Sequence, residues 1–303
     1  MEWLYLLLNT GLIAALSPLS LGIIRKAKAR MQNRVGASTL QPYRDLVKLF
    51  RKDEVISEDT SWIFRAAPYL IFGSTLALAA AVPLVNFTAF SPTGDVLVFA
   101  YTLAAGAFFL ALAGMDTGGA FGGFGASREM MMVALAEGGL VLSLVGASFI
   151  AGTTNLAGMA LMLPALSGGA LVPLILLAVS FAIALLAENA RYPVDNPATH
   201  LELTMVHEAM ILEYSGKRLA LVEWAASNKL LIFTAVFVNI FFPWGIAGSA
   251  LTVLAIFFAK IALALISIAL LESVMAKLRI FRVPDLLLSS FVLSLIAILI
   301  IVV

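Results

Sequence analysis

Eight stretches of this chain, near residues 3–24, 64–86, 96–115, 129–151, 169–188, 229–247, 249–272 and 283–303, are apolar over about twenty residues, the length that crosses a hydrocarbon core as a helix. A water-soluble domain is excluded. The chain is 62% hydrophobic and 12% charged with a mean hydropathy of +1.03, too little polar surface to face water. The 303 residues therefore read as an all-α integral membrane protein of about eight transmembrane helices. They form a single multi-span domain, 1–303, whose cytoplasmic loops, about 25–64, 115–128, 188–229 and 273–283, hold short amphipathic helices. The first stretch, Trp3 to Ile24, is too long for a signal-peptide core, lacks a positive n-region and is not followed by a small-residue cleavage pattern, so it reads as a retained helix. The run from Gly152 to Gly168 is too short and too broken by Gly and Pro to span, and reads as a re-entrant or surface segment.

Charge placement orients the bundle. Ten of the nineteen Lys and Arg residues, from Arg25 to Arg65, lie between the first and second stretches, which makes that loop cytoplasmic. Eight alternating spans then bring eighteen of the nineteen to the same side and leave only Lys260 inside a span. A ninth span would invert every later cluster. Within the first loop, Leu40, Tyr43, Leu46, Val47, Leu49 and Phe50 alternate with Arg44, Asp45, Lys48, Arg51 and Lys52 at near-helical spacing, which predicts a short amphipathic helix.

The chemistry lies in the exceptions. Glu137, Glu188, Lys260 and Glu272 fall within or at the margins of spans, where a charge costs about 2.5–3.5 kcal/mol and requires a partner, water or neutralisation. Proton or ion movement is the usual use of such groups; helix-to-helix polar contact is the alternative. The loop from Glu188 to Lys229 holds six of the eighteen acids (Glu188, Asp195, Glu202, Glu208, Glu213 and Glu223) and both histidines, His200 and His207. A helix over Ala198–Leu212 would place His200 and His207 on one face. Metal binding does not fit: H-E-A-M-I at 207–211 lacks the second histidine of H-E-x-x-H, and the chain has no cysteine for thiolate, nickel or iron-sulfur ligation. The residues point instead to proton exchange among partly desolvated carboxylates and imidazoles, or to docking of a partner. The glycine-rich stretch from Gly114 to Glu129, with Asp116 and Arg128, reads as a loop that permits close approach; it contains no phosphate-binding pattern.

Several segments carry a resemblance. E-N-A-R-Y-P-V-D-N-P-A-T-H-L-E-L-T-M-V-H-E-A-M-I-L-E-Y-S-G at 188–216 resembles the signature loop of the respiratory complex I subunit 1 (H subunit) family, in the branch of energy-converting membrane-bound nickel-iron hydrogenases and formate hydrogenlyases. K-A-K-A-R-M-Q-N-R-V-G at 26–36 is similar to that family's first cytoplasmic loop, with Arg30, Arg34 and Gly36 on matching positions. M-D-T-G-G-A-F-G-G-F-G-A-S-R-E at 115–129 and the stretch 257–279 look like the hydrogenase branch. The resemblance implies an eight-helix subunit without a redox centre or catalytic residue of its own, joining a cytoplasmic electron-transfer arm to ion-translocating subunits in the inner (cytoplasmic) membrane. It implies proton or ion work for Glu137, Glu188, Asp195 and Glu202. Lys260, His200, His207, Glu208 and Glu213 are candidates for the same pathway, and Arg30, Arg34, Asp116, Arg128, Glu129 and Arg191 are candidate interface or anchoring residues. Implied partners are hydrogenase large and small subunits, an iron-sulfur subunit, antiporter-like membrane subunits and the lipid bilayer, not nucleic acid. The nickel-iron centre and iron-sulfur clusters are expected in those partners. The loop departs from the quinone-reducing subunit in length and acidic pattern, so a quinone-reducing or sulfur-reducing complex is the alternative, and a purely structural anchor the alternative of another class.

Overall fold

The structure, a computed structural model, describes residues 2–83, 94–163, 170–195, 206–245 and 249–302. Its helices are α1 (Glu2–Met31), α2 (Gln41–Arg51), α3 (Trp62–Ala81), α4 (Val96–Asp116), α5 (Ala120–Ala151), α6 (Leu156–Met162), α7 (Leu171–Glu188), α8 (His207–Ile211), α9 (Gly216–Phe241), α10 (Ala250–Val274) and α11 (Val283–Val302). Among the described residues, eight helices are long and apolar enough to cross a membrane: α1, α3, α4, α5, α7, α9, α10 and α11. Capping side chains help set their starts. Ser61 accepts from the Ile63 N–H at 3.1 Å, Asp95 from Leu97 at 2.8 Å and Ser249 from Thr252 at 3.3 Å, each satisfying a donor that the first turn leaves open.

The bundle closes around α9, the most buried span, which packs against α1, α3, α7 and α10, while α4, α5 and α11 complete the wall through α3 and α7. Hydrophobic force between helices is weak in lipid, so small residues and interhelical hydrogen bonds set the contacts. Ser180 of α7 donates to the Ser290 carbonyl at 2.7 Å and lies 2.6 Å from the Ser294 hydroxyl, joining α7 to α11. Asn228 of α9, fully buried, accepts from Ser17 of α1 at 2.5 Å and donates to Thr75 of α3 at 3.2 Å.

Several boundaries differ from the sequence-based expectation; α1, for one, runs on to Met31 and α3 stops at Ala81. The glycine-rich stretch is a loop only as far as Gly119. Helix α5 begins at Ala120, because its glycines serve helix packing: a Cβ on Gly122 would sit 2.1 Å from the Gly114 carbonyl oxygen of α4, and one on Gly125 would sit 2.9 Å from both the Ala209 Cβ and the Val206 carbonyl oxygen. Helix α9 begins at Gly216, well before residue 229; Glu223 and Lys229 lie along it and line a cavity at one end of the bundle. Of the helix expected over Ala198–Leu212, the described part is α8; residues 196–205, with His200 and Glu202, lie outside the described residues. The amphipathic helix forms as α2, with Pro42 and Leu46 buried and Arg44, Val47 and Lys48 exposed, and the segment after Gly152 folds as the short α6.

Candidate functional site: a charged cavity at one end of the bundle

Eight alternating spans bring the C-terminal ends of α1, α4, α7 and α10 and the N-terminal ends of α3, α5, α9 and α11 to one end of the molecule. A cavity of about 810 Å³ opens there between α1, α2, α3, α4, α8, α9 and the ends of α5, α7 and α10. One wall is apolar, with Ile24, Leu78 and Leu103. The other carries Glu129, Glu188, Arg191, His207, Glu208, Glu223, Lys229 and Glu272, with the exposed Arg25 and Arg34 on the rim.

The charges form a sequence of pairs. Glu272 of α10, its side chain 3% exposed, accepts from the Lys28 ammonium at 3.2 Å and from Arg191 Nη1 at 3.1 Å. Lys28 also lies 4.6 Å above the Tyr192 ring. One oxygen of the fully buried Glu188 side chain accepts from Lys229 at 2.6 Å, and the other has no hydrogen-bond partner. Buried oxygens of this kind are rare, because each unmade bond costs its desolvation. Glu137 repeats the feature. It lies eight residues inward from Glu129 on α5, a rise of about 12 Å, with a buried and unpartnered Oε1, and the charges acting on it are those of Glu188 and Lys229. His207 on α8 is 3.9 Å from the Glu129 carboxylate. Burial works against the imidazolium, but Glu129 and Glu208 outweigh it and raise the His207 pKa above its ordinary value.

Thus Glu188, His207, Glu208, Glu129, Arg191 and Arg34 meet at the cavity, and Glu137 lies beneath it. The other candidates are elsewhere. Asp195 is buried against Lys277 at 2.5 Å, where the Leu278 N–H donates to the Pro193 carbonyl at 2.9 Å. Asp116 accepts from the Ser61 and Phe64 N–H groups at 2.8 and 3.3 Å and so caps α3. Glu213 and Arg30 are exposed, and Arg128 is half-buried at the start of α5. Lys260 sits apart from the acids. Its ammonium donates to the Phe242 and Trp244 carbonyls at 3.1 and 3.2 Å, capping the far end of α9, and it is twelve residues, about 18 Å, along α10 from Glu272. Among the described residues no three His, Asp or Glu side chains are grouped to hold a metal. Sequence reasoning did not single out Arg25, Lys28 or Lys229 for the site, and it named Glu223 only as one acid of the 188–229 loop. Lys28 and Lys229 each lie one helix turn or less from an expected loop boundary, where a positive charge reads as a topological anchor.

The family model for NADH dehydrogenase matches residues 3–303, the whole bundle and its cavity. The chain belongs to this family, the subunit 1 family of complex I. Curated members similar to it include formate hydrogenlyase subunit 4 of Escherichia coli (strain K12), 36% identical over 94% of each chain. Hydrogenase-4 component C of the same organism is 34% identical, over 90% of this chain and 88% of the relative. The fold is shared with a chain of the membrane-bound sulfane sulfur reductase, an archaeal respiratory membrane complex, at a TM-score of 0.84 and 21% identity over 99% of each chain.

Proposed function

We propose that this family member is the membrane-anchor and ion-coupling subunit of an energy-converting nickel-iron hydrogenase complex. The observation that carries the coupling role is the pair of carboxylates Glu188 and Glu137, each with a buried oxygen that has no hydrogen-bond partner, the first lining and the second lying beneath a cavity whose rim faces out of the bundle. A carboxylate with one oxygen on an ammonium and one unpartnered can hold or release a proton as the field around it changes. In this reading, electron transfer in a partner alters the field at His207, Glu208 and Glu129; the change passes to Glu188–Lys229 and then to Glu137, from which protons move toward antiporter-like partner subunits. The chain contributes no redox centre. Nickel-iron and iron-sulfur chemistry belongs to the hydrogenase and iron-sulfur partners, which dock on the charged end, and that end faces the cytoplasm from the inner membrane.

The hydrogenase branch is favoured over a quinone-reducing complex by the two curated relatives, which are named as formate hydrogenlyase and hydrogenase subunits. Purification of the chain with its neighbours and assay for nickel tests this assignment: nickel in stoichiometric amount is expected, and a nickel-free complex whose chain is labelled by a photoreactive quinone analogue contradicts it.

A further inference from the structure

Two spans carry an internal proline, Pro18 in α1 and Pro68 in α3. A helical proline has no N–H for the carbonyl four residues back and crowds that carbonyl, so Ala14 and Phe64 each lose their intrahelical donor. Inside a bilayer no water replaces it, and a neighbouring element has to. In both helices the replacement comes from one segment. Trp224 Nε1 of α9 donates to the Ala14 carbonyl at 2.8 Å, and the Tyr214 hydroxyl, just before α9, donates to the Phe64 carbonyl at 3.0 Å. Ser17 also lies 3.2 Å from the Ala14 carbonyl, but its one hydroxyl proton has a nearer acceptor in Asn228 at 2.5 Å. The adjacent carbonyls take outside donors as well: Arg218 Nε donates to Arg65 at 3.2 Å, and the Tyr43 hydroxyl of α2 donates to Ala15 at 2.5 Å.

These contacts join functional parts. Past Pro18, α1 carries Arg25 and Lys28 into the cavity; past Pro68, α3 supplies Ile71, Ser74 and Thr75 to its wall. The Tyr214 N–H donates to the Ile211 carbonyl at 3.0 Å, which ties it to the turn that bears His207 and Glu208, and the Tyr214 ring stacks on Phe64 at 4.1 Å. We propose that Tyr214 and Trp224 are positioning residues that grip the carbonyls left open by Pro68 and Pro18, with Arg218 holding the adjacent Arg65 carbonyl. Through them the His207–Glu208 segment sets the bend of α1 and α3, and with it the cavity wall and the Lys28–Glu272 pair. The inference rests on the ion-coupling reading above and extends it to how the helices move.

The test compares Trp224→Phe, Pro18→Ala and the double variant in the assembled complex in proteoliposomes, with Glu188→Gln alongside. Trp224→Phe strands the Ala14 carbonyl; Pro18→Ala returns an intrahelical donor to it but removes the bend. Trp224→Phe is expected to lower the melting temperature by about 2–4 °C and to lower ions moved per electron about fivefold or more. The double variant is expected to regain the melting temperature and not the ion ratio, a split that a purely structural role does not produce. A full ion ratio in Trp224→Phe, or in the double variant, overturns the proposal. If Trp224→Phe fails to assemble, the double variant alone decides by the same ratio. Loss of coupling in Glu188→Gln with full coupling in Trp224→Phe removes the grip and leaves the relay; full coupling in Glu188→Gln removes the relay itself.

Discussion

At Glu272 one carboxylate faces two cations, Lys28 and Arg191, which come from the ends of different spans. A buried ion pair contributes little net stability while intact, yet losing one partner strands the other charge, at a cost of about 3–5 kcal/mol. Glu272→Gln is therefore expected to destabilise the protein far more than Glu213→Gln at its exposed site, as measured by denaturant or thermal unfolding of the purified complex. His207 gives a pH signature. Its pKa is raised in the folded protein by Glu129 and Glu208 despite burial, so the stability it contributes is full below the ordinary histidine value of 6.5 and is lost as pH rises through the raised value. His207→Gln is thus expected to lower the melting temperature most below pH 6.5, with the difference from wild type shrinking as pH increases above it. A difference that grows with pH contradicts the assignment of Glu129 as its partner.

Among the elements, α5 depends on closeness to α4 and α8. A Cβ on Gly122 meets backbone, not a flexible side chain, so Gly122→Ala forces helices apart at an expected cost of about 1–3 kcal/mol, whereas Gly123→Ala, with open space around it, is expected to be close to neutral; unfolding of the two variants side by side checks this. Lys260 is an element-scale residue too. Its ammonium serves the Phe242 and Trp244 carbonyls just past the end of α9, and Lys260→Met is expected to reduce stability by about 1–3 kcal/mol while leaving ions moved per electron unchanged in the folded fraction. A complex that stays stable but stops pumping returns Lys260 to the ion pathway, where its rarity within a span first placed it.

For the whole molecule, the legible part of the sequence was that governed by local rules. Hydropathy over about twenty residues marks each span, and the count of Lys and Arg fixes which ends lie together. The eight spans follow from these, as does family membership from the 188–216 stretch. Pairing was not legible, because it joins residues far apart in the chain: Lys28 and Glu272 are 244 positions apart, and Trp224 and Ala14 are 210 apart. For the same reason Lys229 read as a helix end, although it is the partner of Glu188, and Asp116 read as part of a loop, although it caps another helix. Glu188 and Glu137 emerged because an acid in an apolar run is costly wherever the run packs. Their role is the centre of the account. The direct measurement is ions translocated per electron by the reconstituted complex carrying Glu188→Gln or Glu137→Gln: electron transfer that continues with ion movement abolished is the predicted result, and full stoichiometry in both variants contradicts it.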